Sequence, residues 1–586
     1  MRIATELGNE RECGSGEPGA DPLETETTAG QPHGSGPSGG RLPRRLMLGA
    51  MAVTAVSCVT PKPPPKPPAP PKPKPPPPPP PDPEPEPEPP PPDPEPEPEP
   101  PPPDPEPEPA DWRDPQAVHL AKRLTFGPSP GLFAEIEALG VGTWVECQLN
   151  PTAIDDSAVT GVVDSLDASV MTAAELRGAY PDSWWEPFQQ LVAATLFRAC
   201  YSKRQLYELM VDFWTNHFNI YLPAGSAEAF TKIAEDRDVI RLHAMGRFAD
   251  LLLGSATSPA MLYYLDNASS RADGGHVPNE NYARELMELH TVGVDGGYDE
   301  TDVLEVAYVL SGWTVDWETL EFEYQPWRHD PGPVASGGDV LGWTPSTTGY
   351  DLGVDLLDHL AHLPQTATFI CWKLCRRFID DEIARSDPLV ASAASVYLAN
   401  DTQIVPVLRH LFNSERFWSS AGAKLRRPFE LMAAQIRATG SAYPEPRPMA
   451  DELGWVLSRL GQPLFSWPHP NGYPDVANAW LGAGLVLNRW SLTQMLVWNW
   501  FPTGSVSLTN LGHGSVDPAA VGGSAFLDEV AKRLLGEPLP SAAQVTLAAA
   551  VDAYIAAREP FDQWETEWLF RQTAASVLQT RPGQVR

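Results

Sequence analysis

Residues 61–109 constrain the chain most, because they are almost wholly proline alternating with charged residues. Proline fixes φ and offers no N–H, so such a run packs no core and favours an extended polyproline II arm. At about 3.1 Å per residue its contour is on the order of 150 Å. The unit Asp-Pro-Glu-Pro-Glu-Pro-Glu-Pro-Pro-Pro-Pro starts at Asp82, repeats at Asp93 and begins again at Asp104. Lys62, Lys66, Lys72 and Lys74 occupy one end of the arm and the acids occupy the other. Mutually repelling acids hold the arm extended, and basic residues suit anionic headgroups at its start. Residues 59–111 therefore read as a spacer. A proline-rich ligand for a partner domain is the other reading.

Residues 1–40, rich in Gly, Ser, Pro and Glu, read as disordered. In 41–58 the pair Arg44-Arg45 precedes an apolar run of roughly a dozen residues, too short to span a bilayer. This is the pattern of a signal peptide with twin-arginine character. Ala55-Val56-Ser57-Cys58 has the form of a lipobox, with Cys58 as the acylated mature N-terminus. A plain cleaved signal is the alternative. The expectation is an exported, lipid-anchored envelope protein whose membrane contact runs through that anchor only. A formal charge of −34 excludes nucleic acid as a partner, since phosphate binding needs a basic face.

Beyond Trp112 the apolar residues recur with helical period. Asp114-Pro115 and Ser129-Pro130 are helix starts. Further helical runs fall at 184–200, 203–220, 246–266, 299–311, 364–379, 387–412, 424–440, 448–460, 484–500, 524–535, 541–557 and 562–580. No series of alternating strands appears. The expected fold class is all-α, one large multi-helix domain over 112–586. The exception is 313–352, a Trp/Gly-rich irregular insertion with room for a small hairpin. Cys371 and Cys375, four apart on one helix face, suit core packing better than metal or redox work.

The densest cluster of ionisable groups is Asn279 to Tyr298. Pro278 opens a helix and Asn279 can cap it. Glu280, Asn281, Arg284, Glu285 and Glu288 share one arc, while Tyr282, Leu286, Leu289 and His290 share the other. Arg284 is four residues from both Glu280 and Glu288 and can bridge either. An ordinary amphipathic helix with a salt-bridged face explains this pattern. It also admits an acid/base or divalent-metal site, although the HExxH spacing of a zinc protease is missing. Asp299 suits the cap of the next helix, with Asp302 in its first turn.

His217 follows Leu206, Met210, Phe213 and Trp214 at helical spacing and so faces inward. The plain reading is a core histidine bonded to a neighbour. The sharper one joins His217 and His290 in a buried polar centre with Asp266, Asn267 and Glu280 or Glu288 nearby. That centre requires the histidines to lie within about 12 Å of each other. Aromatic loops are a second candidate. Trp313, Trp317, Trp327 and Trp343 border the insertion, and 465–475 carries Trp467 and Tyr473. Trp and Tyr faces beside Asp and Asn suit sugar rings, but aromatics also staple loops to a core. No predicted strand leads into a Gly-x-Ser-x-Gly turn as a nucleophile elbow requires, and there is no P-loop.

Leu124-Thr125-Phe126-Gly127-Pro128, Phe213-Trp214-Thr215-Asn216-His217-Phe218, Pro259 through Asn267 and Asn279 through Tyr298 together resemble one bacterial family. So do Leu310-Ser311-Gly312-Trp313-Thr314, His329-Asp330-Pro331-Gly332, Arg427-Pro428-Phe429-Glu430 and Gly461-Gln462-Pro463-Leu464-Phe465. The family is the one known as domain of unknown function 1800, and the resemblance covers roughly 115–500. It implies an exported, largely helical protein without an established activity, often encoded beside a sulfatase-like exported protein. Members commonly carry a lysine soon after His-Asp-Pro-Gly, where this chain has Pro333-Val334-Ala335-Ser336. Two functions follow as expectations. One is a helical domain held out for binding a partner protein or glycan. The other is an exported hydrolase acting on an envelope polymer through Glu280, Glu285, Glu288, His217 and His290.

Overall fold

Helices begin where the sequence supplies a cap. Asp114 accepts a hydrogen bond from the Gln116 amide, and Pro115 opens the helix Pro115–Arg123. Asp299 and Asp302 form a reciprocal capping box at the head of Glu300–Val309, as their spacing predicts. The computed structural model describes residues 112–222, 228–336, 339–558 and 562–586. The 1–40 extension, the 41–58 signal segment with Cys58 and the 59–111 spacer lie outside the described residues.

The architecture is all-α. Among the described residues the only strands are β1 (Trp313–Val315) and β2 (Phe322–Tyr324), an antiparallel hairpin pairing Trp313 with Tyr324. Two expected helical runs are broken. The 246–266 run divides into Phe248–Ala256 and Pro259–Tyr264, because a residue before proline is pushed out of helical geometry. The 387–412 run divides into Pro388–Ala399 and Ile404–Phe412 at Asp401 and Thr402, whose φ values are 50° and 61°. The insertion ends three residues early, since the helix Tyr350–His362 starts inside it.

One apolar cluster runs from Ala117 to Leu578 and takes in Trp144, Trp214 and Trp313. Cys371 and Cys375 are buried free thiols within it. Burial pushes the Cys375 thiol up to about 12, which leaves it inert as a nucleophile.

A layer of ion pairs crosses this core. Arg377 contacts Glu430 and lies 3.0 Å from Asp212. Arg427 contacts Asp212 and lies 3.1 Å from Glu430, while Arg586 lies 3.3 Å from Glu430. Lys424 contacts Asp381 and lies 3.7 Å from Asp475. Burial works against the Glu430 charge, yet Arg377, Arg586 and Arg427 hold its carboxyl well below the usual range. The helix Gln205–His217 contributes Asp212 to this layer and ends on His217, which is 1 % exposed.

Candidate functional site

The two histidines singled out in the sequence converge. Their ring centroids are 6.0 Å apart. The helix that carries His290 is α-helical over Asn281–Glu285 and then widens to a π-turn over Leu286–His290. π-turns are rare and cluster at functional sites. At a helix end the last carbonyls have no partner within the helix. Here the His290 carbonyl accepts a hydrogen bond from His217 Nε2, at 3.1 Å. A carbonyl can only accept, so His217 carries its proton on Nε2 and Nδ1 is left as an acceptor. Lys373 Nζ lies 2.6 Å from that Nδ1.

This trio is short of charge. Burial, Lys373 and His290 hold the His217 imidazole well below its ordinary pKa. Burial and Lys373 lower His290 to about 3. Burial and the Arg376 guanidinium lower Lys373 to about 7, against the pull of Asp475. Neither ring nitrogen of His290 has a partner among the described residues. A buried N–H left so costs about 1–3 kcal/mol.

The acidic residues of the same stretch go elsewhere. Arg284 lies 3.1 Å from Glu280 but makes its other pair with Glu300, at 2.8 Å, and not with Glu288. The π-turn alters the register by which Glu288 would sit four residues below Arg284, and Glu300 arrives from the head of the next helix. Glu285 is half-buried, with its carboxyl raised by burial and by Glu288. No hydrogen bond or ion pair joins Glu280, Glu285 or Glu288 to either histidine among the described residues. Nor do three or more His, Cys, Asp or Glu side chains gather there into a group able to hold a metal.

The expected binding residues divide into local caps, core staples and one docked loop. The Asn279 side chain accepts from the Asn281 amide, and Asn281 reaches exposed Asp266 at 3.4 Å. Asn267 is buried and donates to the carbonyls of Leu310 and Trp313, at 3.2 and 3.1 Å. Trp313 is fully buried and stacks on Tyr350 at 5.3 Å. Trp467 and Tyr473 lie on a loop docked against the end of the Gln205–His217 helix. Asn216 holds Tyr473 through two bonds of 2.9 and 2.7 Å, and Asn219 holds the Trp467 and His469 carbonyls. Gly472 permits this approach, since a Cβ there would stand 2.1 Å from the Asn216 carbonyl oxygen. Tyr473 lines a narrow cleft with Glu208, Asp212, Asp236 and Phe465.

Lys373 was not singled out in the sequence. It sits in Phe369-Ile370-Cys371-Trp372-Lys373, four residues after Phe369 and so on the same face as that apolar ring. A lysine on a buried helix face is the signal that marks it.

The family described as protein of unknown function (DUF1800) matches residues 119–579, which carries the likeness well past residue 500. The chain belongs to that family. No curated protein and no solved structure matches it.

Proposed function

Membership of a family described as of unknown function leaves the role to be argued from residues, and we propose that this chain is an exported, lipid-anchored envelope protein that binds a glycan. The carrying observation is the division among the insertion's tryptophans. Trp313 and Trp343 are buried, whereas Trp317 and Trp327 are 72 % and 65 % exposed. Leaving such a ring in water forgoes roughly 2 kcal/mol of burial, a cost that a stacking ligand recovers.

Trp317 is not on a slack loop. Arg177 lies 5.7 Å from its ring and donates to its carbonyl at 2.6 Å. Asp316 accepts from the Glu318 and Thr319 amides, at 2.9 and 2.8 Å, and closes the turn between β1 and β2. A ring so held, on a turn that also carries Glu318 and Glu321, suits a sugar whose C–H face stacks and whose hydroxyls donate. The hydrolase alternative needs a glutamate beside His217 or His290, and no described contact supplies one. A sulfatase-like exported partner acting on the same polymer fits this role.

Affinity electrophoresis through gels containing envelope polysaccharide tests the reading. The wild-type protein is expected to be retarded, and a Trp317→Ala/Trp327→Ala double variant to lose at least about tenfold in affinity, as for two lost stacking contacts. Equal migration of the two would overturn it. Anchoring is tested separately: palmitate labelling in the native host is expected to vanish in Cys58→Ser.

A further inference from the structure

Buried lysines in this protein are normally paired with acids. Lys122 is held by Glu537, Lys232 by Glu235, and Lys424 by Asp381 with Asp475. Lys373 differs. No carboxylate lies within ion-pair distance of it among the described residues, and its nearest polar partner is a base, His217 Nδ1. Lysines activated for covalent chemistry are desolvated and set beside other cations rather than acids.

We propose that Lys373 is a nucleophilic amine that condenses with a small carbonyl compound bearing an anionic group, and that His217 is its positioning residue. The inference is independent of glycan binding.

The argument starts from the hydrogen bond. Because the His290 carbonyl fixes the His217 tautomer, Nδ1 accepts one N–H of the Lys373 amine and leaves the nitrogen lone pair directed elsewhere. The charged and titratable groups that act on Lys373 are His217, His290, Arg376 and Asp475. Both imidazoles are neutral, and Arg376 repels a proton on the amine. Burial adds to that repulsion, so half of the amine is uncharged near pH 7. Lys373 is part-buried, less enclosed than the fully buried His217 and His290 beside it.

The anionic group follows from Phe369. Lys373 Nζ and the Arg385 guanidinium both lie against its ring, at 5.4 and 5.2 Å. The ion pair of Arg385 with exposed Asp295 is long, 3.6 Å, which leaves the guanidinium free to take a carboxylate or phosphate. In the condensation the Nζ lone pair forms a bond to the carbonyl carbon as the C–O π pair moves to oxygen. The nitrogen gives up both its protons, the oxygen leaves with them as water, and an imine remains. No oxidant or reductant is consumed.

The test is reductive trapping on the purified protein. It is incubated at pH 7 with glyoxylate and cyanoborohydride, and the modified lysines are mapped by peptide mass spectrometry. Lys373 is expected to be alkylated at least about tenfold faster than exposed Lys203, because an ordinary lysine is almost wholly protonated at that pH. Propanal, which has no anionic group, is expected to label Lys373 more slowly than glyoxylate, and Arg385→Gln to abolish that preference. His217→Gln is expected to slow the labelling of Lys373 and to shift its pH midpoint. Labelling of Lys203 with Lys373 untouched would overturn the proposal without recourse to any variant. An unchanged midpoint in His217→Gln would overturn the positioning role.

Discussion

Two of the regions in which the protein buries ionisable groups treat them in opposite ways. In the layer around Glu430, pairing wins: Arg377, Arg427 and Arg586 converge on one carboxylate, and it stays ionised despite full burial. Around His217, burial wins: two histidines and a lysine share no carboxylate contact and are pushed towards their neutral forms. Both regions border the helix Gln205–His217, the first through Asp212 and the second through its last residue. Burial is common to both, so the partner decides the outcome. Ions that keep complementary partners form structure, and ions denied them become neutral groups with lone pairs to offer.

The largest expected effect breaks the paired side. Glu430→Gln leaves three guanidiniums facing an uncharged amide and is expected to cost about 3–5 kcal/mol of stability, read from urea unfolding. A comparable removal on the unpaired side behaves differently. Lys373→Met deletes an ammonium that burial already disfavours and is expected to change stability by less than about 1 kcal/mol in the same assay.

The next effect is a pH dependence. The folded pKa of His290 lies below its unfolded value, so the unfolded chain binds the extra proton first. The stability tied to His290 is therefore complete above about pH 6.5 and is lost as pH falls towards 3. Between pH 7 and pH 4 this amounts to roughly 3 kcal/mol. Glu430 and Asp475, with depressed carboxyl pKa values, lose stability in the same direction, so the diagnostic quantity is a difference. His290→Leu is expected to flatten the wild-type loss between pH 7 and pH 4 by about that amount, measured by thermal or urea unfolding at both pH values.

The smallest effect belongs to the surface. Arg284, with 35 % of its side chain exposed, pairs with Glu280 and Glu300. Arg284→Ala is expected to cost no more than about 1 kcal/mol, and less at high salt. A larger loss would mean that Glu280 and Glu300 do more than pair with Arg284 at the surface.

Much of the fold was legible because local chemistry marks it. Asp114-Pro115 and Asp299 with Asp302 supply their own caps, and most helical runs fall within a few residues of where periodicity places them. What escaped was set by tertiary contact. Asp401 departs from helical geometry where its carboxylate takes Arg247, at the head of Phe248–Ala256, and His362, at the end of Tyr350–His362. The π-turn at 286–290 leaves no periodic trace over so few residues. The convergence of His217 and His290 could be argued because both lie on apolar faces. Lys373 could not be tied to them, because the hydrogen bond that joins it to His217 spans 156 positions. The glutamates of 280–288 drew notice for their density, yet among the described residues only Glu280 of them pairs with Arg284, whose other partner is Glu300.

The claim that partners rather than burial decide charge rests most directly on the protonation of Lys373. Lysine labelled with ¹³C at Cε reports its own titration by NMR. The Lys373 resonance, assigned through Lys373→Arg, is expected to titrate with a midpoint near 7, as burial and Arg376 dictate, while Lys424, lowered by burial but held up by Asp475 and Asp381, is expected to titrate at a higher pH. A Lys373 midpoint near 10.4, the value of a free lysine, would contradict the account.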